Sequence, residues 1–302
     1  MPRHRTVPLR DWSAARQPAS LKAAARIALC GAAVAAALML LTWFLAFHVG
    51  FFKRADLKIL SGFTDLRRPR ESAIAGFIAG LCDPKPFVLF AGVIVLIPVM
   101  RRRPGAALTI AAILLGANVT TQLLKPLLAE PRAVPWGIDP ISAAAWPSGH
   151  ATAAMSLALC SVLAAPARLR PLIAALGAAF AVAVSYSFLS LSWHYPSDVF
   201  GGFLVATVWT LLGIAALFSL RARFAGDVTE EIPPGRTSVR EALRPPVAAL
   251  LGAIGLAGLV ALAHPHAVVS YAQAHTAFVV GASAIAALGL ILATGVMLAL
   301  RR

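Results

Sequence analysis

The stretch PSGHATAAMSLALCSVLAAPA, residues 147–167, joins a short polar motif directly to a long apolar run. No charged residue interrupts the run between His150 and Ala167. Its length is close to the roughly 20 residues that a helix needs to cross the hydrocarbon core of a membrane. The stretch therefore predicts a membrane helix that opens at a cluster of polar side chains.

Similar apolar runs recur along all 302 residues, of which 59% are hydrophobic and only 13% are charged. A water-soluble domain of this size would be about a quarter charged, so a soluble fold is excluded. The pattern predicts an all-α polytopic membrane protein. Eight spans are expected, at about 27–52, 86–100, 105–124, 150–167, 171–193, 198–220, 246–263 and 276–300.

The segment 221–245 is polar and rich in proline and charge, which is typical of a linker. It divides the chain into a basic N-terminal segment at 1–26, a six-span core at 27–220 and two further transmembrane helices at 246–302. A shorter apolar stub, 74–82, precedes the second span and is expected to be interfacial or half-inserted.

Lysine and arginine predict the orientation, because cytoplasmic loops carry an excess of both. With both termini in the cytoplasm, most of the 27 lysines and arginines fall inside. The exception is the basic outer loop at 53–85. This loop is expected to be either a surface that attracts anionic lipid head groups or a solvated amphipathic helix. The net charge of +15 is therefore explained by topology in the plasma membrane. We expect no nucleic-acid partner, because no basic stripe with interleaved aromatic residues or zinc spacing is present.

Three short segments gather polar residues at the predicted outer face: 125–132, 147–150 and 194–198. Alone, each has an ordinary interpretation, such as a snorkelling cation or a helix cap. Their arrival at one membrane face instead indicates a functional site. Beyond them, the three cysteines and the histidines of the last outer loop (His264, His266 and His275) lack the pattern of metal ligands, so we predict no metal site.

The residue types in these segments suit a phosphate group. Lys125 offers a point charge and Arg132 a bidentate fork. Ser148 and Gly149 precede an apolar helix, whose first free N–H groups form an anion site without a metal. Gly149 also lets a phosphate oxygen approach the backbone.

Two histidines supply the reactive groups. His194 and Asp198 lie four residues apart, so the carboxylate can hold one imidazole nitrogen and leave the other free to attack. His150 is then available as the acid that protonates the leaving alkoxide.

These motifs resemble those of the type 2 phosphatidic acid phosphatases, kin of bacterial acid phosphatases and vanadium haloperoxidases. That family carries K-x6-R-P, then P-S-G-H, then S-R-x5-H-x3-D, in this order. Lys125 and Arg132 match the first motif and residues 147–150 the second. Ser187, His194 and Asp198 match the third, and the resemblance covers about 86–220.

The resemblance implies a six-helix phosphatase-like core and metal-free hydrolysis of a lipid phosphate at the outer face, without a cofactor. His194 would form a phosphohistidine, oriented by Asp198, with His150 as the general acid. Lys125, Arg132, Ser148 and Gly149 would hold the phosphate of a substrate such as phosphatidic acid or a polyprenyl phosphate or diphosphate.

The sequence departs from the family pattern at two positions. Ala133 replaces the proline of the first motif, which loosens a turn. Phe188 replaces the arginine that follows Ser187, and loss of one preorganised donor lowers a rate by roughly 100- to 1,000-fold. Three explanations remain open. The pocket works with one guanidinium fewer, or a basic residue of the outer loop (Arg67, Arg68 or Arg70) compensates. Alternatively, the protein has become a lipid head-group or phosphoryl transferase, or a catalytically degenerate lipid-phosphate-binding protein.

Overall fold

A computed structural model describes residues 12–132, 141–224 and 239–300. Within these ranges the chain forms eleven α-helices and no strand. They are α1 (Trp12–His48), α2 (Gly50–Thr64), α3 (Pro69–Gly80), α4 (Pro84–Met100), α5 (Pro104–Leu127), α6 (Gly149–Ala164), α7 (Arg170–Ser190), α8 (Pro196–Arg223), α9 (Val239–Ala263), α10 (Pro265–Ala274) and α11 (Thr276–Ala299).

The predicted all-α membrane fold is confirmed, and each of the eight predicted spans coincides with a helix. Six of the helices in the described ranges are long and apolar enough to cross a membrane: α1, α5, α7, α8, α9 and α11. The apolar stub forms α3, which meets α4 at a 48° bend, so the two together form either one broken span or a re-entrant loop. The first span ends earlier than predicted, because Val49 has extended backbone angles and a separate helix, α2, begins after it.

The short helix α6 lies at the centre of the bundle. Its residues are buried except Gly149, His150 and Ser161. Helices α4, α5, α7, α8 and α11 all pack against it. A helix that is apolar on nearly every side is stable where other helices cover it, and α6 is covered in this way along its 16 residues.

The two C-terminal spans differ in how they pack. Helix α11 is joined to α7 at both ends, since the Tyr186 hydroxyl donates to the carbonyl of Ala282 and Arg170 donates to that of Leu300. Helix α9 instead exposes a row of large apolar residues, as a lipid-facing helix does: Leu250, Leu251, Ile254, Leu256, Leu259 and Leu262. Several sequence expectations fall outside the described residues, namely those on 1–11, Ala133, 225–238 of the linker, and 301–302.

Basic and reactive residues lie at opposite ends of α5. Arg103 precedes the helix and Lys125 lies in its last turn, about 33 Å away at a rise of about 1.5 Å per residue. Near the first end, Arg101, Arg103 and Arg221 surround Arg170 closely enough to act on its charge. This separation agrees with the sidedness expected from the sequence, which stays a prediction.

Candidate active site

The three polar segments converge at one end of the bundle. Lys125 comes from the last turn of α5, His150 from the first turn of α6, and His194 from the connection between α7 and α8. The ring centroids of His150 and His194 are 6.4 Å apart. The two imidazoles are thus close enough to act on a single phosphorus atom.

The start of α6 is fixed to the start of α8. Ser148 is the N-cap of α6, and its hydroxyl accepts a hydrogen bond of 3.2 Å from the N–H of Ala151. The Ser148 N–H in turn donates to the carbonyl of Asp198 at 3.0 Å. These bonds bring the loop before α6 against the first turn of α8, which holds His150 near His194.

Gly201 and Gly202 on α8 permit this close approach. A Cβ atom on Gly202 would lie 2.7 Å from the carbonyl oxygen of Ser148 and 2.8 Å from the Cβ of Ala151. A Cβ atom on Gly201 would lie 2.8 Å from the indole of Trp146. Sequence reasoning missed these residues, although a glycine pair one turn after Asp198 is a signal for close helix packing.

His194 is oriented by Asp198 as expected. Its Nδ1 lies 3.2 Å from Oδ2 of Asp198, and the same oxygen accepts the N–H of Tyr195 at 3.0 Å. Asp198 is fully buried and His194 is 7% exposed. A buried carboxylate on Nδ1 fixes the tautomer with the proton there, so Nε2 keeps the lone pair that can attack.

Arg132 contacts acidic and hydroxyl side chains at the start of α8, and its predicted phosphate-binding role stays a prediction. Its guanidinium forms an ion pair with Asp198 and another, at 3.3 Å, with Asp56. It also donates to the Ser197 hydroxyl at 2.9 Å and lies 3.8 Å above the ring of Tyr195. The fork of Arg132 is therefore occupied by two carboxylates.

Asp56, on α2, is a site residue that sequence reasoning missed. Its carboxylate accepts the Ser197 N–H at 3.0 Å, so it caps α8 from a residue 141 positions away. Burial raises the pKa of Asp56 to about 6, although the Arg132 charge acts in the opposite direction. Burial likewise raises the pKa of neighbouring Tyr195 to about 12. The only available signal was an acidic residue within a basic amphipathic helix.

Lys125 and the start of α6 form the phosphate-binding part of the arrangement. A Cβ atom on Gly149 would lie 3.6 Å from Lys125 Nζ and 3.5 Å from Gln122 Nε2. Within the described ranges, no carboxylate lies within ion-pair distance of Lys125. The ammonium of Lys125, the amide of Gln122 and the first N–H groups of α6 therefore lie around one position, where they could bind an anion.

Phe188 occupies the position where the family carries an arginine. Its ring is fully buried, with the centroid 5.2 Å from that of His194 and 6.0 Å from that of His150. Trp193, which is 44% exposed, lies 5.6 Å from His150. The two imidazoles therefore lie beside an apolar wall. The Ser187 hydroxyl, by contrast, donates to the carbonyl of Ala183 in its own helix.

The outer loop contributes a carboxylate to this end of the bundle. Asp83, between α3 and α4, places Oδ1 3.2 Å from Nε2 of His150. Arg67, Arg68 and Arg70 are exposed, and Arg68 donates to carbonyls of its own loop. In the part of the chain that the structure describes, none of these three forms a hydrogen bond or ion pair with a histidine of the site, so their compensating role stays a prediction.

Comparison with known proteins agrees with the motifs. No curated protein matches the sequence. The fold is similar to the crystal structure of a transmembrane PAP2-type phosphatidylglycerolphosphate phosphatase from Bacillus subtilis, with a TM-score of 0.46, 20% identity, and coverage of 66% of this chain and 98% of that one. Residues 106–222, which contain both histidines, Lys125 and Asp198, match the PAP2 superfamily. This match assigns residues 106–222, rather than the chain as a whole, to the PAP2 superfamily.

Proposed function

We propose that the protein hydrolyses a lipid phosphate without a metal ion, through a phosphohistidine at His194, on the outer face of the plasma membrane. The observation that carries the proposal is the pair of facing imidazoles, 6.4 Å apart, beside a cation at a helix start. The match of residues 106–222 to the PAP2 superfamily supports phosphatase chemistry.

The first step transfers the phosphoryl group to the enzyme. Lys125 and the start of α6 bind the phosphate oxygens. Nε2 of His194 attacks phosphorus while the bond from phosphorus to the lipid oxygen breaks. His150 gives its proton to the departing oxygen, so the lipid leaves as an alcohol. For a diphosphate substrate, the leaving group is the lipid monophosphate.

The second step regenerates the free enzyme. His150, now neutral, takes a proton from a water molecule, whose oxygen attacks phosphorus and breaks its bond to His194. Inorganic phosphate leaves, and His150 again carries its proton. Because His194 must start neutral and His150 protonated, turnover is expected to follow a bell-shaped pH profile.

One observation favours a second candidate function, transfer of the phosphoryl or head group to an alcohol. Phe188 and Trp193 give the imidazoles an apolar wall, which suits an alcohol acceptor better than water. A transferase would release product only when an acceptor alcohol is present, with little free phosphate.

Phosphate release by the detergent-purified protein tests the proposal, with phosphatidic acid and polyprenyl phosphate and diphosphate as substrates. We expect release to persist in a chelator and to fall at least about 1,000-fold in His194→Ala. The matched control is His275→Ala, because His275 also pairs with an aspartate, Asp65, at 2.9 Å. Equal rates for His194→Ala and the wild type would refute the phosphohistidine mechanism, whereas absence of turnover with every lipid and acceptor would favour a binding protein.

A further inference from the structure

We propose that Asp83 is the positioning residue of the general acid, so that the site contains two carboxylate–imidazole pairs. The inference rests on the proposed function, in which His150 gives a proton to the leaving oxygen. Asp83 belongs to the outer loop, outside residues 106–222 that match the superfamily. The contact that carries the inference is the 3.2 Å separation of Asp83 Oδ1 and His150 Nε2.

The turn between α3 and α4 holds Asp83 in place. Its N–H donates to the carbonyl of Gly80 at 3.1 Å, and its own carbonyl accepts the N–H of Phe87 at 2.9 Å. The neighbouring Cys82 and Ala79 are buried, which anchors the turn against the bundle. Helix α4 also packs directly on α6, which carries His150. The carboxylate therefore comes from a fixed backbone.

The pairing selects the nitrogen that does the chemistry. A carboxylate on Nε2 of His150 makes that nitrogen a hydrogen-bond donor and leaves Nδ1 to give its proton to the substrate. The arrangement mirrors that of His194, where Asp198 holds Nδ1 and leaves Nε2. Each imidazole thus has one nitrogen held by a carboxylate and the other left for the chemistry.

The charges around His150 require such a partner. The charged groups that act on it are Lys125 from α5, His194 before α8 and Asp83 from the α3–α4 turn. Of these groups, all within the described residues, Asp83 is the only anion. Burial and the positive charge of Lys125 disfavour protonated His150, and the Asp83 carboxylate opposes both, so it favours the protonated acid.

A purely structural salt bridge would behave differently. The Asp83 side chain is 56% exposed, and pairs of that exposure contribute little to stability. Asp83→Asn is therefore expected to leave thermal unfolding nearly unchanged while it alters turnover. We expect kcat to fall about 10-fold with KM within about twofold, and the alkaline limb of the pH profile to move about half a unit to one unit lower.

Two further variants sharpen the test. Asp83→Glu retains the charge and should restore most of the alkaline limb. Asp65→Asn is the matched control, because Asp65 lies on the same loop as Asp83, is 55% exposed and also pairs with a histidine, His275. It should leave kcat and the pH profile as in the wild type. A wild-type profile in Asp83→Asn, or an effect on KM alone, would overturn the proposal.

A readout without turnover separates this inference from the proposed function. In protein with ¹³C-labelled histidine, the His150 resonance is identified by its loss in His150→Gln and titrated in detergent micelles. Its midpoint should move to lower pH in Asp83→Asn and not in Asp65→Asn. If the midpoint moves but no lipid phosphate is hydrolysed, the pairing stands and the proposed function fails. If hydrolysis occurs and the midpoint is unmoved, the positioning role fails.

Discussion

Arg132 and Lys125 both match the family's phosphate-binding motif, yet their surroundings predict different effects of neutralisation. Arg132→Gln would leave fully buried Asp198 and nearly buried Asp56 without their shared cation. Removal of one partner from a buried ion pair costs about 3–5 kcal/mol, because the remaining charge stays buried and unpaired. Lys125 is half-buried and has no carboxylate at ion-pair distance among the described residues, so Lys125→Gln should change the free energy of unfolding by under about 0.5 kcal/mol.

The cysteines provide the assay. Cys82 and Cys160 are free and buried, so a thiol-reactive fluorophore labels them only as the protein unfolds on heating. Exposed Cys30 would give a constant background, so it is replaced by alanine in the parent protein and in every variant. At roughly 2–4 °C for each kcal/mol, Arg132→Gln should lower the unfolding midpoint by about 10 °C. Lys125→Gln should stay within about 2 °C of the parent protein.

Ligand binding completes the comparison. Orthovanadate resembles phosphate, and its inhibition of turnover reports the affinity of the anion site. Lys125→Gln should weaken inhibition at least about 10-fold, because a direct charged hydrogen bond is lost. A different result would refute the assignment of Arg132 to the two carboxylates. If Arg132→Gln keeps the unfolding midpoint of the parent protein and weakens orthovanadate inhibition as much as Lys125→Gln does, the guanidinium contacts the anion directly.

Three further predictions follow from the same end of the bundle. Gly202→Ala should reduce turnover about 100-fold, because the new Cβ would lie 2.7 Å from the Ser148 carbonyl and force α6 away from α8. Phe188→Arg should raise turnover on a phosphomonoester about 100-fold, since it adds a guanidinium beside both imidazoles. Because burial raises the pKa of Asp56 from 3.8 to about 6, its contribution to stability is present below pH 4 and lost as pH rises through 6. The free energy of unfolding should therefore fall by about 3 kcal/mol between pH 4 and pH 7 because of this group. Asp56→Asn should abolish that fall, which is measured as the unfolding midpoint at each pH.

Each of these predictions has a control within the chain. Gly76→Ala adds a methyl group where nothing lies within 4 Å, so it should be neutral, and equal losses in both glycine variants would contradict the packing argument. Phe188→Leu removes the ring without adding charge, and a gain in that variant would assign the effect to space alone. Asp65→Asn removes an exposed carboxylate, and a change in pH dependence equal to that of Asp56→Asn would exclude the buried one as the cause.

The sequence by itself determined the features that follow from local rules. Apolar runs became helices because hydrocarbon accepts backbone only when its hydrogen bonds are satisfied within the segment. Ser148 caps α6 through a hydrogen bond to a residue three positions away, and His194 meets Asp198 four positions away. Such contacts depend on a few consecutive backbone angles, so motif spacing was sufficient to predict them.

Only the tertiary structure decided which distant charges meet. The sequence directed attention to the arginines of the basic outer loop, whose compensating role stays a prediction. Nothing in the sequence indicated that Asp56 and Asp83 of the same loop would pair with Arg132 and His150, 76 and 67 positions away. Charge composition describes the average character of a loop, whereas the packing of the helices decides which of its side chains reach a partner. Those partners are set by how α2, α4 and α8 pack, and the spacing of residues along the chain does not specify that packing.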